Sequence, residues 1–178
     1  MIEMNTKTTT RYSAAKTVAQ SAILIALALA LSYAERFVPI QMLIPLPGVK
    51  LGLANVVTLT ALYLLGTKKT VPIVLARCLI GALFGNITGL FFSLTGGILS
   101  IIVMALCKKI PILSIYGVSI LGAAAHNIGQ ILAATVIMGS IYVSLYLPYL
   151  LIIGIFTGIA TGTACAGILR VFKSVRFF

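Results

Sequence analysis

The stretch IPILSIYGVSILGAAAHNIGQILAATVIMGSIYVSLYLPYLLIIGIFTGIATGTACAGIL, Ile110–Leu169, contains no Lys, Arg, Asp or Glu. At about 1.5 Å per residue it would make roughly 90 Å of helix, too long for one hydrocarbon layer of ~30 Å. It fits two long crossings joined by a turn, which is expected around Met138–Ser144, with Pro148 tolerable in the first turn of the last helix. Both ends of the stretch are basic: Lys108 and Lys109 precede it, and Arg170, Lys173 and Arg176 follow it. Two more clusters, Lys7/Arg11/Lys16 and Lys68/Lys69, bring these groups to ten of the thirteen basic residues. If basic clusters mark the cytoplasmic side, each lies an even number of crossings from the next.

The rest of the chain obeys that requirement. A first span is read at about Thr17–Ala34, followed by a connection that Pro39, Pro45, Pro47 and Gly48 keep from being one continuous helix. A second span, about Leu51–Leu65, returns to Gly66 and the Lys68–Lys69 pair. No charge occurs from Cys78 to Cys107, and Ser93, Thr95, Gly96 and Gly97 supply a break. A third span is therefore expected at about Val71–Leu90 and a short or tilted fourth at about Thr95–Cys107. The expectation is an all-α integral membrane protein, a bundle of six transmembrane helices with both termini cytoplasmic. Residues 1–16 and 171–178 form cytoplasmic tails around one membrane domain at 17–170. The N-terminal apolar run continues past a signal-peptide core into Glu35–Arg36 without a clear cleavage site, so it reads as a retained span.

Composition agrees with this class. Hydrophobic residues make up 61%, charged residues 8%, and the mean hydropathy is +1.18. A net charge of +11 would suggest nucleic acid in a soluble protein, but bases that flank apolar spans act on orientation and anionic lipid instead. Cys78, Cys107 and Cys165 are widely separated, without CxxC or metal spacing, and read as small packing residues. Small residues recur every four positions: Ala22, Ala26, Ala30 and Ala34, with Ala15 and Ala19 before them; Gly81, Gly85 and Gly89; Gly154, Gly158 and Gly162. The glycine stripes are read as internal helix packing. The alanine stripe suits either internal packing or docking to a partner membrane protein.

Polar groups in lipid are costly, and those that persist face the bundle interior or a cavity. Counted from the cytoplasmic ends, Asn86 falls ~24 Å along the third span and His126 ~21 Å along the fifth. Asn55 starts one turn inside the outer end of the second span. His126 and Gln130 share a helix face, with Asn127 beside them. Tyr33, Glu35, Arg36, Gln41 and Lys50 belong to the first outer connection, and Tyr146 and Tyr149 enter from the last. The amides could bond across helices and the tyrosines form an interfacial belt. The shared depth of the whole group favours an outward-facing cavity lined by Arg36, Lys50, Asn55, Asn86, His126, Asn127 and Gln130. Arg36, Lys50 and His126 would draw an anion there. Arg77, ~10 Å into the third span, is expected to snorkel back to the cytoplasmic surface in a structural or coupling role.

The missing residue types bear on chemistry. There is no aspartate, and Glu3 and Glu35 are the only acids, so no carboxylate cluster exists to hold Mg²⁺ on a diphosphate. There is no GxxxxGK[ST] loop for ATP. The single histidine has no acidic partner in sequence reach for a hydrolytic triad. The chain reads as a non-enzymatic binding or permeation subunit, without cofactor or metal, driven by energy from elsewhere.

Several segments resemble a known family nearly from end to end. PLPGVKLGLANVVTLTALYLLG at Pro45–Gly66, RCLIGALFGN at Arg77–Asn86, SLTGGILSIIVM at Ser93–Met104, VSILGAAAHNIGQ at Val118–Gln130 and YLPYLLIIGIFTG at Tyr146–Gly158 are similar to the Gx transporter family. Many of its members carry the label heptaprenyl diphosphate synthase component I. The resemblance covers roughly Ala14 to Arg170. It implies kinship with S components of energy-coupling factor transporters, six-helix subunits of the prokaryotic plasma membrane. Those bind a small-molecule substrate and work with a transmembrane coupling subunit and two cytoplasmic ATPases, docking through an AxxxA face on the first helix. Ala15/Ala19 and Ala22/Ala26 match that face. The synthase label implies a different role, a membrane accessory to a separate prenyl synthase, because the aspartate-rich motifs of chain elongation are absent.

Overall fold

The structure, a computed structural model, describes residues 2–37, 50–84 and 87–175. Its regular structure over these residues is all helical. The helices are α1 (Ile2–Ala34), α2 (Asn55–Leu65), α3 (Thr67–Leu83), α4 (Ile87–Cys107), α5 (Ile115–Met138) and α6 (Leu147–Val175). Short 3-10 turns at Glu35–Phe37 and Ile141–Tyr146 follow α1 and precede α6. Four helical segments are long and apolar enough to cross a membrane: Ala15–Ala34, Ile87–Cys107, Ile115–Met138 and Ile141–Phe172. The remaining two are shorter. At 11 residues α2 spans only about 16 Å, and at 17 residues α3 spans about 25 Å.

The long uncharged stretch divides as expected. Ser114 caps α5 by accepting a hydrogen bond from the Gly117 amide at 3.3 Å. Gly139, at φ +61°, ends the helix in the left-handed conformation that favours glycine at this position. Pro148 follows Leu147, the first residue of α6.

The third and fourth spans are cut elsewhere than expected. Ser93–Gly97 lies in the middle of α4, and the break falls between Leu83 and Ile87. Gly89 therefore belongs to α4 and not to the helix of Gly81. The glycines at 96 and 97 do not end the helix because neighbours use the space that side chains would fill. A methyl group at Gly97 would stand 3.2 Å from Val74 Cγ1 and 3.4 Å from Arg77 Nη2. Thr95 satisfies its own hydroxyl by donating to the Phe91 carbonyl at 2.8 Å, so no polar group forces the helix open.

Helix α5 is the centre of the bundle, packed between α4 and α6 and touching α2. Its own glycines allow that. A methyl at Gly129 would lie 2.6 Å from the Thr95 carbonyl oxygen, and one at Gly122 would lie 2.5 Å from Met104 Cγ. The glycine stripe of α6 is internal: Gly154 faces Ala123 and Asn127, Gly158 faces Ile120, and Gly162 faces Tyr116 and Ser119. Hydroxyls lock the contacts, Ser100 donating to Gly122 O at 2.8 Å and Ser119 to Gly158 O at 2.7 Å. Apolar clusters fill the remaining volume. Leu24 and Ala28 of α1 meet Val57 and Ala61 of α2 and Ile73 of α3. Leu59 and Leu62 meet Met104, Val118 and Cys165.

The alanine stripe of α1 is not internal. Gln20, Leu24 and Ala28 face the bundle, whereas Ala15, Ala19, Ala22 and Ala26 are exposed together with Val18, Ile23 and Leu27. The described basic clusters also lie on the surface. Lys68, Lys69, Lys108, Lys109 and Arg170 are exposed at the end of the bundle where α2 turns into α3 and α4 into α5. Two of these lysines also tie helices together there. Lys69 donates to Thr17 Oγ1 at 3.2 Å, and Lys108 donates to the Leu62 carbonyl at 2.8 Å with its ammonium over the Tyr63 ring.

Candidate functional site

At the opposite end α1 finishes and α2 and α4 begin. The polar residues collected between that end and the middle of the bundle come from five elements. Glu35, in the turn after α1, is buried, and one carboxylate oxygen accepts from the Gly52 and Leu53 amides. Those amides belong to the tight turn that starts α2, in which Asn55 N donates to Gly52 O at 2.8 Å. A carboxylate there satisfies two amides of the turn and lies near the positive end of the α2 dipole. Burial nevertheless raises the Glu35 pKa above its ordinary value. The two amides, Lys50 and Arg77 oppose that rise.

Lys50 is held at both its side chain and its backbone. Its Nζ donates to Ser93 Oγ of α4 at 2.9 Å. The Gln130 amide of α5 grips its backbone, donating to Lys50 O at 3.1 Å and accepting from Lys50 N at 3.0 Å. Gln130 is completely buried, and this two-bond match to one peptide segment accounts for it. Gly52, at φ +83°, lets the chain pass between Asn55 and His126. A methyl there would stand 2.9 Å from Asn55 Nδ2 and 3.2 Å from His126 Cδ2.

His126 is 4% exposed. Its ring takes the place of a side chain on α4, since a methyl at Gly96 would lie 2.8 Å from both Cε1 and Nδ1. Arg77 comes in from α3 beside Gly97 and is 7% exposed. It lies within Coulombic reach of Glu35 and His126. It does not snorkel to the surface. The expectation failed on the helix boundary, because α3 runs from Thr67 to Leu83 and not to Leu90. Arg77 is thus roughly 9 Å from the Leu83 end of α3 and about 15 Å from the basic end at Thr67.

Among the described residues, four buried side-chain polar atoms lack a hydrogen-bond partner: Asn55 Oδ1, Arg77 Nε, Arg77 Nη2 and His126 Nδ1. All four belong to three residues around Gly52 and Gly96–Gly97. A buried polar group without a partner costs about 1–3 kcal/mol, and arginine at bilayer depth about 3 kcal/mol or more. Such costs gathered in one place single out these three residues as the candidate site.

Of the sequence-predicted lining residues, Lys50, Asn55, His126 and Gln130 come together here. Asn127 points the other way and donates to the Leu150 carbonyl of α6 at 2.6 Å, an interhelical brace. Asn86, Gln41 and the Arg36 side chain lie outside the described residues. Tyr33 and Tyr149 are exposed, and Tyr146 packs against the cluster of Phe92, Val143 and Leu150. Sequence reasoning left three contributors out of the lining. Ser93 was assigned to a loop, Glu35 to the outer connection, and Arg77 to the far surface. The usable signal was the arginine itself, a charge inside an apolar helix.

No curated protein and no solved structure was found to match the chain. The family model described as heptaprenyl diphosphate synthase component I matches residues 24–168, which include every described residue of the polar cluster. The chain belongs to the heptaprenyl diphosphate synthase component I family.

Proposed function

We propose that the protein is the substrate-capturing subunit of an energy-coupling factor type uptake transporter. It crosses the prokaryotic plasma membrane six times with both termini cytoplasmic. The basic end lies against the anionic inner leaflet, and the polar cluster opens outward. A small anionic or amphiphilic molecule enters from outside and meets Lys50, Asn55, His126 and Gln130, with Arg36 and Asn86 completing the lining and Asn127 bracing α5 against α6. The observation that carries this reading is the gathering of partnerless buried polar atoms in the middle of the bundle, beside the start of α2 and away from the basic clusters. Energy comes from a transmembrane coupling subunit and two ATPases. The outward face of Ala15, Ala19, Ala22 and Ala26 suits docking, because small side chains let another helix approach closely. The test is copurification from cells expressing the coupling module. Ala19→Trp and Ala26→Trp should each abolish association while leaving the isolated subunit folded. Unchanged association would remove the docking face, and no association in the parent would remove the transport reading.

A second reading rests on the family description itself. In it the chain is a non-catalytic membrane accessory of a separate prenyl diphosphate synthase. It predicts a stable complex with that synthase and loss of chain elongation when the gene is deleted. A coupling subunit and ATPases beside the gene favour transport, and a prenyl synthase there favours the accessory role.

A further inference from the structure

The charges around the site do not balance. Arg77 and Lys50 bring two positive charges, and Glu35 brings at most one negative charge. Lys50 is committed to Ser93 through its ammonium and to Gln130 through its backbone. Glu35 is committed to the Gly52 and Leu53 amides. Arg77 differs from both. Its guanidinium is buried, and Nε and Nη2 have no acceptor. Those two donors lie on one edge of the guanidinium plane, the edge that presents two parallel N–H groups to a carboxylate or phosphate. His126 Nδ1 and Asn55 Oδ1, also partnerless, supply polar contacts of other kinds nearby.

We propose that Arg77 is the anion-binding residue of this site, pairing through Nε and Nη2 with the carboxylate or phosphate head of the ligand. This rests on the capture reading and narrows its substrate class to acids. The head meets the Nε–Nη2 edge of the guanidinium, which lies beside Gly97 between α3 and α4. A free anion and an anionic lipid headgroup offer the same chemistry, and the test separates them.

The full chain is reconstituted in phosphatidylcholine nanodiscs, and unfolding is followed with a thiol-reactive dye, which gains access to the buried Cys78 and Cys165 as the bundle opens. Sodium acetate and sodium phosphate are titrated at constant ionic strength against chloride. In a second arm phosphatidylglycerol replaces part of the phosphatidylcholine. A saturable rise in unfolding temperature with acetate or phosphate assigns a free acid. A rise with phosphatidylglycerol alone assigns a headgroup. In either case Arg77→Gln should weaken apparent affinity on the order of thirtyfold, and Arg77→Lys should retain part of the response. Equal responses of wild type and Arg77→Gln overturn the assignment, as does no response in either arm. Native mass spectrometry of the wild-type protein needs no variant to fold. A copurified acid supports the assignment. A neutral or cationic ligand overturns it while leaving capture intact, whereas absence of any coupling partner strikes capture and not Arg77.

Discussion

Asn127 and His126 are neighbours in sequence with different tasks, and substitution should separate them. Asn127→Ala removes the 2.6 Å bond to Leu150 O, and interhelical bonds of this type are worth about 0.6–1.7 kcal/mol. It should lower the unfolding temperature and leave bound ligand in place. His126→Ala removes a ring whose Nδ1 has no partner, so it should cut ligand retention sharply. Native mass spectrometry and thermal unfolding of the two variants check the contrast, and identical behaviour would contradict it. Glu35 gives a pH prediction. Its pKa is raised in the folded state, so its contribution is fully present below 4.5, the ordinary value, and is lost as pH rises through the raised folded value. Glu35→Gln should flatten that fall in a pH series of melting curves. At this scale the sequence marked which residue types were out of place in lipid. It could not say which were already partnered, because Gln130 meets Lys50 and Asn127 meets Leu150 only through tertiary contacts.

Helices rather than residues decide how closely the bundle packs. A methyl at Gly129 would meet backbone of α4 at 2.6–2.8 Å, and backbone cannot rotate aside. Gly129→Ala should therefore destabilise by about 2–3 kcal/mol. Gly167, exposed on α6 with nothing within 4 Å, should accept alanine neutrally or gain up to ~1 kcal/mol from helix propensity. Thermal unfolding of the two variants side by side is the measurement. Element boundaries were legible where a glycine ends a helix unopposed, as at Gly66 and Gly139. They were misread at Gly96–Gly97, where the missing side chains make room for His126 and Arg77. A glycine pair in lipid signals a turn or a close approach, and the local sequence does not distinguish them.

For the whole molecule the basic clusters make the topology testable. In a background with Cys78, Cys107 and Cys165 replaced by alanine, Lys69→Cys, Lys109→Cys and Arg170→Cys should react with an impermeant maleimide only from the cytoplasmic side. Tyr142→Cys, exposed in the turn between α5 and α6, should react only from outside. Labelling of positions 69, 109 and 170 from different faces would break the six-crossing arrangement. The all-helical class and the long hairpin were legible from charge spacing, since only helices and closed barrels satisfy their backbone in hydrocarbon and uncharged apolar runs this long fit helices. The short α2 was not, because its apolar run begins at Leu51 and the first residues make a turn around the Glu35 carboxylate.

The imidazole of α5 sits where α4 has only a hydrogen at position 96. Two places far apart in the chain thus share a single allotment of space. Relatives that gain a methyl at 96 should carry something smaller than imidazole at 126, and reshaping the site by design would require changing both positions together.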